Sequence, residues 1–235
     1  KSLELNPDNP NAYMNLGGIY ILLGSLAQAR ASSLKALDLK PDNHGALVNL
    51  AAIHCQNDDF EKAVLMLKKS LSIKKTAKAT LSLSTTYSKI GKKEKSLKYA
   101  LSAVKLDENS EDCLINLART YQLCGQKKKA NKVAMMAIKI NNCSEKTYLA
   151  SSKILCEQNL FSKAREILER GKAIIEDSHM IEGEILRVKF LEGFFDDSDD
   201  KKPWGEDDDI YFEDCDGSNL IISFGSNGRL REDEK

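Results

Sequence analysis

Ala12-Tyr13-Met14-Asn15-Leu16-Gly17-Gly18-Ile19-Tyr20, followed by Leu23-Gly24, Ala29 and Lys40-Pro41-Asp42-Asn43, decides the fold, because its features return at a step of about thirty-four residues. From Tyr20 the step reaches His54, Tyr87 (one residue short), Tyr121 and Leu155, and from Ala29 it reaches Ala63, Ser96, Ala130 and Ala164. Local chemistry splits each period in two. Gly24, Asp58, Gly91, Gly125 and Asn159 are types that tolerate the left-handed conformation, so each ends a first helix. Pro41 cannot continue a second. Small residues at the eighth position (Gly17, Ala51, Ser84, Ala118, Ser152) and the twentieth (Ala29, Ala63, Ser96, Ala130, Ala164) let the two helices approach closely, and Leu at the seventh fills the space between units. The expectation is an all-α array of antiparallel helix pairs over residues 1–195, with full repeats at 10–43, 44–76, 77–110, 111–144 and 145–178.

The pattern loosens along the chain. The third unit lacks proline, and the fifth has Ser151 where Leu is expected and Gly171 where Ala is expected. Residues 1–9 match the end of a full unit, so the sequence predicts that a repeat has been lost upstream. Ile181, Ile185, Leu186, Val188 and Leu191 keep helical spacing within residues 180–195, which reads as a closing helix over the last apolar face. Residues 196–216 carry 2 Lys against 11 Asp/Glu and read as an acidic linker. In residues 217–235 the period changes: Asn219-Leu220-Ile221-Ile222-Ser223-Phe224 is a short strand pattern between Asp216-Gly217 and Gly225-Ser226-Asn227-Gly228. It either pairs with Ile210-Tyr211-Phe212 as a hairpin or begins a truncated domain that continues past Lys235, and the second reading is favoured because the chain stops abruptly.

The spaced Leu-Gly, Tyr, Gly, Ala and Pro resemble the tetratricopeptide repeat, in a bacterial-type array. That resemblance implies a right-handed superhelical solenoid whose first helices line a concave groove. It implies a function as a protein–protein interaction scaffold for an extended peptide or partner protein. Carried over by position, the groove holds Asn15, Asn49, Lys78, Ser82, Asn116, Arg119 and Lys153. Asn offers both a donor and an acceptor, so a row of Asn can bind a peptide backbone without reading its side chains. The groove of the repeat region of O-GlcNAc transferase looks like this; here Ser82 and Ala150 break the row, and Asn at this place also serves merely to cap or solvate a helix face. Chaperone-binding members hold a carboxylate with a clamp of Lys, Asn and Arg, but the fifth position of every unit here is Met, Val, Leu or Ile where that clamp requires Lys. A looser preference for acidic ligands through Lys78, Asn116, Arg119 and Lys153 fits better.

Charge is distributed unevenly behind a net value of zero: residues 1–195 carry 30 Lys/Arg against 21 Asp/Glu. Lys92, Lys93, Lys127 and Lys128 occupy the same corner of adjacent units and form a candidate basic ridge. Without interleaved aromatics, solvated turns explain these lysines better than nucleic acid does. The acidic stretch could fold back on ridge or groove.

The six cysteines show no Cys-x-x-Cys and no ligand spacing with the three histidines, so free structural thiols are expected, with no metal and no cofactor. Asp214-Cys215-Asp216-Gly217 departs from a calcium loop at its first and last ligand positions and reads as a turn. No signal peptide or apolar run of about 20 residues is present, and with reduced cysteines this points to a cytoplasmic protein without a membrane role. No catalytic constellation stands in the chain. A second reading makes the array the recruiting arm of a larger enzyme, an α/β-type hydrolase or transferase, with its catalytic domain beyond residue 235.

Overall fold

The computed structural model describes residues 8–140, 144–175 and 178–192, together with the strands at 210–213, 219–224 and 230–232. The first seven residues of the expected partial repeat, most of the acidic linker, the turn at 225–228 and residues 214–217 lie outside the described residues, as do Cys143 and Cys215.

Two compact units make up the chain, Lys1–Leu106 and Asp107–Lys235. The first contains α1 (Pro10–Leu22), α2 (Leu26–Leu39), α3 (His44–Gln56), α4 (Phe60–Ile73), α5 (Ala77–Lys89) and α6 (Lys93–Leu106). The second contains α7 (Glu111–Leu123), α8 (Lys127–Ala137), α9 (Glu145–Cys156), α10 (Phe161–Ile174) and α11 (His179–Glu192), then β1 (Ile210–Glu213), β2 (Asn219–Phe224) and β3 (Leu230–Glu232). Consecutive helices pack as hairpins, α1 on α2, α3 on α4 and α5 on α6 in the first unit, α7 on α8 and α9 on α10 in the second. In each unit the first helices of successive repeats also touch, α1 with α3 and α3 with α5, and α7 with α9 and α9 with α11. The all-α array of helix pairs read from the sequence is what the chain adopts.

Backbone chemistry at both ends of each helix explains this periodicity. Gly24, Asp58, Gly91, Gly125 and Asn159 all have positive φ, between 56° and 80°, and turn the first helix of each repeat into the second. At the other end, a capping residue returns with the same step. Asn9 Oδ1 accepts from the N–H of Asn11 and Ala12, Asn43 Oδ1 from Ala46, Thr76 Oγ1 from Ala79, Ser110 Oγ from Cys113 and Ser178 Oγ from Ile181. Each bond satisfies a donor that the first turn leaves without an intrahelical partner.

Ser144 is the exception in this series. Its hydroxyl and its N–H donate instead to Glu111 Oε2, at 2.6 Å and 2.9 Å, and the Thr147 hydroxyl donates to the same oxygen. Glu145 repeats the device one step later by accepting from Ser178 Oγ. A carboxylate at the first position of a repeat thereby ties it to the start of the next.

The first helix of each repeat meets the second through the small positions. Ala29, Ala63, Ala118, Ala130 and Ala164 are wholly buried, and a Cβ on Gly17 would lie 2.7 Å from Ser33 Oγ and 3.3 Å from the Ala29 carbonyl. The third repeat puts serine at both places, and the two hydroxyls satisfy each other: Ser84 Oγ donates to the Ser96 carbonyl at 2.9 Å and Ser96 Oγ to the Ser84 carbonyl at 3.0 Å. Buried hydroxyls paired in this way avoid the desolvation cost of an unmade bond.

The two departures in the fifth repeat also have packing reasons. Ser151 is buried and its hydroxyl donates to the Ala134 carbonyl at 3.3 Å. Gly171 follows Ala36, Ser70, Ala103 and Ala137 in the series, and Tyr148 follows Tyr13, Leu47, Thr80 and Leu114. The ring of Tyr148 fills the space that a Cβ on residue 171 would take, 2.7 Å from its Cγ.

The strand 219–224, for which the sequence favours partners past Lys235, has its neighbours within the chain. It pairs antiparallel with β1, Ile210 opposite Ile222 and Phe212 opposite Leu220, and with β3, Phe224 opposite Leu230. The hairpin is the observed arrangement because nearby strands satisfy the ladder at low loop-closure cost.

Gly171→Ala is expected to destabilise the second unit by about 1–3 kcal/mol through overpacking against Tyr148, read by denaturant unfolding. Glu111 gives a pH-dependent test. Partial burial raises its pKa, but the hydrogen bonds from Ser144 and Thr147 outweigh this and hold the carboxyl below its ordinary value. A folded-state value below the unfolded one contributes stability that is complete above the unfolded pKa of about 4.3 and disappears as pH falls through the folded value. Glu111→Gln should therefore lower Tm near neutral pH, and the gap from the parent chain should close on acidification to about pH 3.

Candidate functional site

The first helices of the repeats carry the candidate groove residues, and each unit presents its own set. In the first unit, α1 exposes Asn15, α5 half-buries Ser82, and Lys78 stands at the start of α5. Asn49, on α3, does something different. It is buried, and its Nδ2 donates to the Met14 carbonyl of α1 at 2.7 Å. This side chain crosses from one repeat to the next, so its donor is already engaged between α1 and α3, whereas Asn15, one step earlier in the same series, is open to solvent.

In the second unit the positions come together around one cleft of about 340 Å³. Arg119 of α7 and Lys153 of α9 stand at its sides with Lys146, while Leu149, Ala150 and Met180 form its apolar lining. Glu145 also lines it, and its Oε1 accepts from Ser178. Lys146 is engaged with Asp112, 2.7 Å from Oδ1. Among the described residues Arg119 and Lys153 have no ionic partner, so the net field that the cleft offers a ligand is positive. Asn116 lies half-buried on α7, one turn before Thr120, whose hydroxyl donates to the Asn116 carbonyl at 2.8 Å.

Met180 is the lining residue that the sequence reading left out of the groove. It belongs to α11, which reads as a closing helix but sits one repeat step beyond α9 and packs on both α9 and α10. Ser144 and Ser178, both helix-capping positions in the same series, carry the signal that could have found it.

Of the ridge lysines, Lys92 lies in the turn before α6 and Lys93 begins α6 in the first unit, while Lys127 and Lys128 begin α8 in the second. Their neighbours Lys95 and Lys129 are used differently, with Nζ 5.8 Å above the Tyr87 ring and 5.7 Å above the Tyr121 ring. Attraction between a cation and a ring face holds one lysine of each cluster on its own helix pair. Burial pushes the Tyr121 hydroxyl pKa up, which keeps that ring neutral beneath Lys129.

Cys55, Cys113, Cys124 and Cys156 are reduced thiols outside any disulfide. Among the described residues no group of three or more His, Cys, Asp and Glu side chains is placed to hold a metal ion. No helix among them is long and apolar enough to cross a membrane.

Comparison with known proteins agrees with this geometry. Two tetratricopeptide-repeat family models match, one over residues 10–43 and 77–110 and the other over 46–78. No curated protein matches the chain. The structure of TTC0263, a thermophilic TPR protein of Thermus thermophilus, is similar with a TM-score of 0.67 at 15% identity, over 77% of this chain and 100% of that one. PilF of Pseudomonas aeruginosa is similar with a TM-score of 0.64 at 18% identity, over 81% and 86% of the two chains. YrrB, a TPR protein with an unusual peptide-binding site, gives a TM-score of 0.52 at 20% identity, over 80% and 96%. Identities of this size carry the fold alone.

Asn49→Ala is expected to cost about 0.5–1.5 kcal/mol, because it removes the side-chain hydrogen bond that ties α3 to the Met14 carbonyl of α1. Asn15→Ala, on an exposed side chain, should leave stability within about 0.5 kcal/mol of the parent. Chemical denaturation of the two variants side by side checks the contrast.

Proposed function

We propose that this chain is a tetratricopeptide-repeat scaffold for protein–protein interaction, whose ligand is an extended peptide or a peptide segment of a partner protein with acidic character. The observation that carries this reading is the cleft of the second unit, where Arg119 and Lys153 flank Leu149, Ala150 and Met180. Two cations without ionic partners among the described residues favour a carboxylate. The apolar lining between them favours an aliphatic or aromatic neighbour of that carboxylate on the same peptide. Recognition of this kind combines burial with charge-assisted hydrogen bonds, of which Arg can make two in parallel.

In the first unit Asn15, Ser82 and Lys78 offer amide, hydroxyl and ammonium groups on first helices. These suit contacts to peptide backbone and to a further acidic side chain. Asn49 supports the reading indirectly, by fixing the spacing of α1 against α3 through its bond to Met14. The resemblance to YrrB, described as having a peptide-binding site, is in keeping with a peptide ligand for this chain.

A peptide array probed with the full chain tests the proposal. Acidic peptides that carry an apolar residue should be selected, and Arg119→Glu/Lys153→Glu should weaken them by at least about tenfold, equivalent to about 1.4 kcal/mol. Asn15→Ala and Ser82→Ala should weaken binding less. Selection of peptides without regard to charge, or binding unaffected by the double charge reversal, would sink the proposal.

A further inference from the structure

In the second unit the 34-residue step sets the side chains of α7, α9 and α11 side by side, rung upon rung. At the second position of the repeat, Asp112 of α7 and Lys146 of α9 pair at 2.7 Å. Near the C-terminal ends, Gln122 of α7 donates to Glu157, the residue that caps α9. Both rungs find their partners within the protein. The rung between them carries one sign of charge only. Its members, at the ninth position, are Arg119, Lys153 and Arg187, exposed cations one step apart on helices that touch in succession, α7 with α9 and α9 with α11. The ninth positions of the first three repeats hold Gly18, Ala52 and Thr85, so this row belongs to the second unit.

Arg187 extends the pair already placed at the cleft. Its Nε lies 2.8 Å from Glu184 Oε2, and its guanidinium is also hydrogen-bonded to the sulfur of Cys156, which stands one turn after Lys153 on α9. The contact with Cys156 directs the head group toward α9, the helix that carries Lys153. Glu184 leaves the Arg187 side chain 49% exposed, and the two partners do not exhaust the five N–H donors of a guanidinium. A row of like charges has no compensation of its own, so an anion supplied from outside gains at every rung.

The spacing of the row selects a conformation. Packed helix axes lie about 8–10 Å apart. A polyproline II chain makes one turn in three residues and advances about 9.3 Å in doing so, which brings every third side chain to the same edge at the same interval. A β-strand repeats its facing every second residue, at about 6.6 Å, and falls out of step. The lining of Leu149, Ala150 and Met180 offers no aromatic ring for a base to stack on, which favours a peptide over single-stranded nucleic acid.

We infer that Arg119, Lys153 and Arg187 form one recognition row for an acidic peptide in polyproline II conformation, with a carboxylate at every third residue. This rests on the peptide reading of the cleft and adds to it the conformation of the ligand, the spacing of its charges and the part of Arg187.

Fluorescence anisotropy with the full chain tests it on three labelled peptides: Leu-Glu-Pro-Pro-Glu-Pro-Pro-Glu, its isomer Leu-Pro-Pro-Pro-Pro-Glu-Glu-Glu, and the diglutamate Leu-Glu-Pro-Pro-Glu-Pro-Pro-Gln. The spaced triglutamate peptide should bind more tightly than either of the others by about three- to fivefold, the range of one exposed charge pair. Arg187→Gln should abolish its advantage over the diglutamate peptide, and Arg187→Lys should keep most of it, with Tm recorded for each variant. Glu184→Gln, which releases Arg187 from its carboxylate, should raise affinity for the triglutamate peptide alone, a readout that does not depend on how well Arg187→Gln folds. Equal affinity for the spaced peptide and its isomer would overturn the row while leaving an acidic-peptide cleft standing, as would variants at 184 and 187 that change the tri- and diglutamate peptides by the same factor. Absence of binding by all three, or binding unaffected by Arg119→Glu/Lys153→Glu, would overturn both readings. A short oligothymidine bound more tightly than any of the peptides would also overturn the inference, by making the row a surface for polyanions at large.

Discussion

The distance between the two helices of a repeat governs everything else in this protein. Ala29, Ala63, Ala118, Ala130 and Ala164 have no accessible surface, and at Gly17 even a methyl group would lie 2.7 Å from Ser33. Close approach of this kind brings Leu47, Leu83, Leu117 and Leu155 into full burial at the junctions between helices. Burying a leucine contributes roughly 1.5–3 kcal/mol. A solenoid has no single core to compensate for one loose junction, since each repeat touches only its neighbours. The spacing must therefore be kept in every repeat, whether by Ala against Ala or, in the third repeat, by the reciprocal Ser84 and Ser96 hydrogen bonds.

Where one side chain departs from the series, a neighbour takes up the change. Gly171 is smaller than its counterparts, and the Tyr148 ring takes the space it leaves. Ser151 replaces the expected leucine and finds the Ala134 carbonyl for its hydroxyl. Glu111 and Glu145, at repeat openings where Pro10, His44 and Ala77 stand earlier in the chain, bind the hydroxyls that begin the following repeat. What looks in the sequence like decay of a consensus is substitution under a constant volume and a constant demand for hydrogen-bond partners.

Function follows from what the spacing leaves over. Positions that hold the repeat together are small or buried, and the exposed positions of the first helices are those that the proposed peptide would meet. Groove position alone does not make a residue available, however. Asn15 and Asn49 occupy the same place in successive repeats, yet the first is open and the second bridges to Met14. Lysines divide similarly: Lys95 and Lys129 lie over tyrosine rings, while Lys92 stands in the turn before α6 and Lys93, Lys127 and Lys128 open the second helices.

The sequence by itself determined the period, the helix pairs and their turns, because Gly24, Asp58, Gly91, Gly125 and Asn159 act through backbone preferences that need no tertiary partner. That the first helix of each pair carries the candidate groove is what the resemblance to the tetratricopeptide repeat implies. Tertiary structure decided which candidate groove residues are exposed and which are already engaged. That Asn49 is engaged, that Arg119 and Lys153 converge on one apolar-lined cleft, and that Met180 of α11 completes it depend on contacts between neighbouring repeats. Period and propensity are local quantities and can be read along the chain. Whether a donor is already engaged, or two cations share a cavity, depends on distances across space, and only the packed repeats fix those.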